Sequence, residues 1–231
     1  MFQNSGYYFL ALLAASIAAF WPRYLSKPPG SIDTYTHAHA VTMIAWVVLL
    51  TVQPLLIRWR RRPVHRTLGA LSYILAPAVV ITTVLLAHAR FKAMSPLVFL
   101  GEARHLYLPL SGAALFAIAY VGAIVYRKVT PLHAGFMVCT GLTLIDPVLG
   151  RVLAFYLPPL PHTLYYQAIT FGLADLILLR LIFAPGDDLT TRWALKTMLP
   201  LFIVAHALWF TVAQSETCLP FARWFRGLPL T

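Results

Sequence analysis

The chain has 231 residues, of which 60% are hydrophobic and only 11% are charged, and its formal net charge is +11. This composition is too apolar for a water-soluble protein. The apolar residues form blocks of roughly 16 to 22, the length at which a helix crosses about 30 Å of hydrocarbon. The blocks lack the polar–apolar alternation of a membrane β-barrel strand. The sequence therefore predicts an all-α integral membrane protein, and it excludes a soluble enzyme.

Hydropathy predicts one bundle of seven transmembrane helices, a single domain over residues 1–231. The predicted spans are 6–25, 38–57, 67–87, 106–126, 132–149, 163–184 and 194–213. The richest basic stretch, residues 58–66, lies between the second and third spans, so the positive-inside rule places it in the cytoplasm. We therefore expect a bacterial plasma-membrane protein with a cytoplasmic N-terminus and an outer C-terminus. The same rule explains the basic excess without nucleic-acid binding.

Histidine is the unusual residue, because eight occur in this apolar chain and most lie at the ends of the predicted spans. His37 and His105 are 68 residues apart, and the same step separates His65 from His133. Each member of the second pair follows a Pro-x sequence. The repeated offset predicts a duplicated helix pair, in which His37 or its neighbour His39 faces His105 near the outer side. His65 would face His133 near the inner side.

Two facing imidazoles from different helices are the axial ligands that a bis-histidine haem requires. The predicted outer pair contains His105 and only one of His37 and His39, since residues two apart on a helix point about 200° from each other. The predicted inner pair is His65 and His133. The pattern thus predicts a b-type haem protein that moves electrons across or within the bilayer. Its partner would be a small-molecule electron donor or a quinone.

Four segments resemble the core of the ascorbate-reducible b-type cytochromes: HAVTMIAWVVLL from His39, RRPVHRTLGALSYIL, ARHLYLPLSG and TPLHAGFMVCTG. The resemblance covers about residues 36–150. It implies a four-helix haem bundle with His39, His65, His105 and His133 as ligands of haem b. The chain also resembles an uncharacterised family of bacterial multi-pass membrane proteins with the same His-Arg-x-x-Gly start, and that likeness implies no function.

A second interpretation requires no haem. Glu102 and His105 form a Glu-x-x-His pair, which with His88 and with His37 or His39 would bind zinc or iron at the outer face. The protein would then be a metal-dependent membrane enzyme. A third interpretation is a small receptor or carrier without a cofactor, in which helices interrupted by proline line a cavity.

Three further polar residues are predicted deep in the membrane. Counted at about 1.5 Å per residue, Asp146 and His206 lie at similar distances from the inner ends of their spans, roughly 20 and 18 Å. We expect them to meet, either as a proton relay, as a support for a ligand histidine, or as a structural pair. Asp175 is expected to pair with Arg180 or to stay protonated.

Overall fold

The computed structural model describes residues 4–157, 159–160, 164–184 and 189–231. All regular structure within these residues is helical, and they contain no strand. A π-helical turn, Trp21–Leu25, extends the first helix, and a 3-10 turn, Ala103–Leu106, joins the fifth to the sixth. The helices are α1 (Ser5–Phe20), α2 (Thr34–Arg58), α3 (Arg62–Gly69), α4 (Ser72–Ala93), α5 (Pro96–Glu102), α6 (Tyr107–Val125), α7 (Thr130–Leu142), α8 (Ile145–Tyr156), α9 (Leu164–Ile182), α10 (Leu189–Phe210) and α11 (Cys218–Arg226).

Seven helical segments of the described chain are long and apolar enough to cross a membrane, which confirms the predicted helical membrane bundle. We call the end where α2 stops and α3 begins the inner end, and the opposite end the outer end. The last predicted span runs too far, because residues 211–213 form a turn after α10. The seven segments are Ser5–Leu25, Thr34–Arg58, Arg62–Ala93, Pro96–Val125, Thr130–Tyr156, Leu164–Ile182 and Arg192–Phe210.

Local sequence determines where several of these helices begin. The Asp33 carboxylate caps α2, since it accepts hydrogen bonds from the backbone N–H of Thr36 at 2.9 Å and from its hydroxyl at 2.7 Å. Helices α3, α5 and α7 each carry a proline in the first turn, at Pro63, Pro96 and Pro131. Proline is tolerated there because its missing N–H would have no partner within the helix.

The predicted duplication is visible at the inner end of the bundle. Helices α3 and α7 begin 68 residues apart, at Arg62 and Thr130, and in both the second residue is proline and the fourth is histidine. The outer end does not follow the repeat. Helix α2 begins at Thr34, whereas the residue 68 positions later, Glu102, ends α5, and His105 lies in the 3-10 turn before α6. The repeat therefore places only the inner histidines in equivalent structural positions.

The central part of the bundle consists of α2, α4, α6 and α7. Helices α2 and α6 both pack on α4, and α7 packs closely on α6 and touches α2 over a smaller area. Trp46 is fully buried among them, edge-on to Phe116 and Tyr120 with ring centroids 4.9 and 5.7 Å away. Helix α1 packs on α2 and α8, while α10 packs on α6, α7 and α9. Helices α8, α9 and α10 thus form a second group beside the central four.

A short helix covers part of the outer end. Helix α11 packs on α4 and on the 3-10 turn, with Ala222 and Phe225 buried in that contact. The Arg226 guanidinium donates to the carbonyl oxygen of Met94 at 2.6 Å and lies over the ring of Phe99 at 4.8 Å. These contacts hold α11 against the turn between α4 and α5.

Candidate functional site

His65 and His133 both lie at the inner end of the bundle, in the first turns of α3 and α7. Both side chains are partly buried, and they lie close enough for their charges to interact. Nδ1 of His133 lies 2.9 Å from the carbonyl oxygen of Ala123. Because a carbonyl oxygen can only accept, the ring proton is on Nδ1, and Nε2 keeps its lone pair.

Gln53, on α2, is the third polar group of this inner cluster. Its amide lies against both Nδ1 and the carbonyl oxygen of His65. The amide is fully satisfied when its nitrogen donates to these two atoms and its oxygen accepts from the Gly69 N–H at 2.9 Å. In that arrangement Nδ1 of His65 accepts, and the proton of a neutral ring is on Nε2. We therefore define the inner cluster as Gln53, His65 and His133.

Aromatic side chains pack beside the inner cluster, one helical turn from His133. Phe136 stacks on Tyr126 with centroids 5.9 Å apart, and the edge of Trp193 meets Tyr126 at 5.5 Å. The Phe136 ring also lies directly on Gly122, so closely that a Cβ at that position would be 2.8 Å from its Cδ1. This packing fixes the position of α7 against α6 and α10 and, with it, the backbone that carries His133.

The outer histidines contact different parts of the bundle. Nδ1 of His39 lies 3.3 Å from the Thr82 hydroxyl on α4, and Nδ1 of His37 lies 3.1 Å from the Tyr24 hydroxyl. His105, in contrast, packs against Trp209 on α10, with ring centroids 5.5 Å apart. These contacts do not join His105 to His37 or His39. The predicted outer haem pair thus stays a prediction.

The predicted outer metal site is not assembled. His88 is fully buried, with Nδ1 2.7 Å from the Thr231 hydroxyl and its ring 5.5 Å from that of Phe225. It therefore faces α11, whereas His105 packs on Trp209 of α10 and has Nδ1 2.9 Å from Glu102 Oε2. No three His, Cys, Asp or Glu residues in the described ranges are close enough to hold a metal ion. The proposed ligands therefore do not form one site: His37, His39, His88, Glu102 and His105.

One further histidine expected near the outer face lies outside the described residues. His162 belongs to the segment between α8 and α9. The outer histidines within the described part of the chain are His37, His39, His88 and His105.

His206 pairs with Asp175 and not with Asp146, its predicted partner. Nδ1 of His206 lies 2.9 Å from Asp175 Oδ2, and the imidazole stacks on Phe171 with centroids 4.1 Å apart. Asp146 instead accepts a hydrogen bond from the Thr170 hydroxyl at 2.5 Å. Helix α9 lies between α8 and α10, so it separates the two residues that were expected to meet.

Asp175 is the residue whose role the sequence analysis missed, since His206 and not Arg180 is its partner in the described contacts. A signal was available in the sequence. Phe171 and Asp175 are four residues apart on α9 and therefore share one face of the helix. An imidazole on the facing helix can then stack on the aromatic ring and form a hydrogen bond with the carboxylate.

The fold and its buried polar groups define a class, the seven-span helical membrane proteins with ionisable side chains inside the bundle. No protein-family profile, curated protein or solved structure matches this chain. The chemistry of the inner cluster and of the other polar groups is therefore the basis for a function.

Proposed function

We propose that this protein is a membrane electron carrier that holds a b-type haem at its inner end, between His65 and His133. The observation that carries the proposal is the placement of two histidines at equivalent positions in the first turns of α3 and α7, at the same end of the bundle. A bis-histidine haem requires ligands from two chain segments, one on each side of the ring. The inner cluster is the place where this chain offers them.

His133 is already arranged for this group, whereas His65 requires a change of tautomer. The Nδ1–H of His133 donates to the Ala123 carbonyl, which leaves Nε2 available to iron. A backbone carbonyl on the far ring nitrogen is the usual support of a ligand histidine. For His65 to bind through Nε2, the proton must be on Nδ1 and the Gln53 amide must turn its oxygen toward it. This turn gives up the bonds of the Gln53 amide to the His65 carbonyl oxygen and the Gly69 N–H, so haem binding requires Gln53 to move.

When bound, haem would supply an iron that accepts and releases one electron. The chain's own residues hold the two imidazoles and fix their orientation, while the apolar bundle around Trp46 excludes water from the interior. A small-molecule electron donor or a quinone remains the partner that we propose. A second haem bound by His105 with His37 or His39 is still a prediction.

Haem content is the direct test. The protein purified in detergent should be red, with a sharp α-band after reduction. His65→Ala and His133→Ala should each lose the inner haem, because removal of one axial ligand opens that iron. The control is His88→Asn, a buried histidine that faces α11. A colourless wild-type protein without haem, or full haem content in both alanine variants, would contradict the proposal.

We also propose that the inner end faces the cytoplasm, because the basic residues 58–66 lie there. Cys218 on α11 should then react with a membrane-impermeant thiol reagent from outside. Partial burial raises the pKa of this thiol, so the labelling is best done above neutral pH. In a Cys218→Ser background, Pro63→Cys should react only after permeabilisation. Reversed labelling would invert the orientation, and labelling of both from one side would contradict the seven crossings.

A further inference from the structure

Three arginines from three different helical segments approach each other near the outer end. Arg23 lies in the π-helical turn that extends α1, Arg90 in the last turn of α4, and Arg151 in α8. The positive charges of Arg23 and Arg90 are both close enough to act on Arg151. We call these three residues the outer arginine cluster.

Aromatic rings and a backbone carbonyl hold two of the three guanidinium groups. Arg151 lies 4.8 Å from the centroid of the Phe20 ring and donates to the carbonyl oxygen of Pro147 at 2.6 Å. Arg23 lies 5.3 Å from the centroid of the Phe155 ring. Each arginine of this pair thus crosses the contact between α1 and α8 and packs on a ring of the opposite helix. Arg90 donates to the Thr36 hydroxyl at 3.3 Å. Among the described contacts, most N–H donors of the three groups remain for another partner.

The neighbouring carboxylates are engaged elsewhere. The charge of Asp33 interacts with that of Arg90, and the charge of Asp146 interacts with that of Arg151. Neither carboxylate forms a direct ion pair with an arginine among the described contacts. Both oxygens of Asp33 accept from Thr36, and Asp146 bonds to α9. Three guanidinium groups therefore share the attraction of two carboxylates, and the cluster keeps a positive excess.

Like charges held together at a membrane boundary repel each other, and their placement inside a span is costly unless a partner compensates them. Guanidinium groups bind phosphate and carboxylate oxygens through paired N–H donors. We propose that Arg23, Arg90 and Arg151 form a binding site for a phosphate-type oxyanion at the outer ends of α1, α4 and α8. The anion is the phosphate of an acidic lipid headgroup or a free phosphate. This site is at the opposite end from the inner cluster and does not depend on the haem proposal.

The test measures thermal unfolding by tryptophan fluorescence in a phosphate-free maltoside detergent. Inorganic phosphate and phosphatidylglycerol are added separately, with potassium chloride at equal ionic strength to account for screening. We expect at least one probe to raise the Tm of the wild type beyond the effect of chloride. Stabilisation by inorganic phosphate identifies a site open to free anions, whereas stabilisation by phosphatidylglycerol alone identifies a lipid site.

Variants connect the effect to the cluster. Arg151→Gln and Arg23→Gln should each lose the stabilisation. The two variants are measured separately because Arg151 lies well inside α8, whereas Arg23 lies in the turn that extends α1, so a folding defect in one variant leaves the other informative. Arg223→Gln, at an exposed position on α11 at the same end, is the matched control and should keep it. The proposal is overturned if neither probe exceeds chloride, or if the cluster variants respond as strongly as the wild type and Arg223→Gln.

Discussion

The pairing of His206 with Asp175 predicts a specific energetic coupling between α9 and α10. We consider a double-mutant cycle of His206→Phe and Asp175→Leu. Phenylalanine retains a ring that can stack on Phe171 but removes Nδ1, and leucine replaces the carboxylate by an apolar group of similar size. The control cycle combines His206→Phe with Asp146→Leu, because Asp146 was the partner expected from the sequence.

The structure determines the size of the expected coupling. The His206–Asp175 bond is 2.9 Å long, and the two side chains are only 13% and 22% exposed. Polar pairs in a membrane bundle contribute about 0.6 kcal/mol on average and about 1.7 kcal/mol at most. A short and mostly buried bond belongs at the upper end, so we expect about 1.5 kcal/mol. Asp146 has no direct bond to His206 among the described contacts, and its coupling should stay below about 0.5 kcal/mol.

The assay is reversible unfolding in mixed micelles with increasing dodecyl sulfate, monitored by tryptophan fluorescence and circular dichroism. Each single and double variant gives one free energy of unfolding, and their differences give the coupling. A coupling below about 0.5 kcal/mol for Asp175, or a larger value for Asp146, would refute the pairing that the structure shows. The single variants alone do not decide this, since each also removes packing.

Two further predictions concern packing and capping, and both are measured in the same unfolding assay. Gly122→Ala should destabilise the bundle by about 1–3 kcal/mol, because its Cβ would lie 2.8 Å from the Phe136 ring, whereas Gly112→Ala adds a Cβ in open space and serves as control. Asp33→Ala should cost about 0.5–2 kcal/mol by removing the cap on α2. Slight burial raises the pKa of Asp33, but hydrogen bonds from Thr36 outweigh it and hold the pKa below the ordinary value. The cap therefore contributes fully to the free energy of unfolding above pH ~4, and this contribution is lost as the pH falls through the lower folded-state pKa. The Asp33→Ala variant should not show this pH-dependent loss.

The spans and the inner histidine pair were predictable because each depends on position along the chain. Apolar length alone predicted seven spans, and seven helical segments of the described chain have that length and composition. The equivalent positions of His65 and His133 followed from two Pro-x-His sequences that start α3 and α7 in the same way. Both residues lie in the first turn of a helix at one end of the bundle, so their depth is fixed without knowledge of helix rotation.

The partners of the other polar groups were not predictable, because they depend on which way each helix turns. Rise per residue placed Asp146 and His206 at similar depth, but each further residue rotates the side chain by about 100° around the helix axis. A helix between them, α9, supplied both actual partners, Thr170 and Asp175. The outer metal set failed for the same reason, since His88 is turned toward α11.

The fifth span is interrupted between α7 and α8, at Thr143 and Leu144. The backbone N–H groups of these residues donate to Cys139 O at 3.3 Å and Gly141 O at 3.1 Å, and the Thr140 and Thr143 hydroxyls bond to nearby carbonyls. The backbone N–H groups at the interruption thus keep hydrogen-bond partners inside the span, where an unpaired backbone group would be costly. The fifth span therefore consists of two separate helices, α7 with His133 at the inner end and α8 with Arg151 toward the outer end.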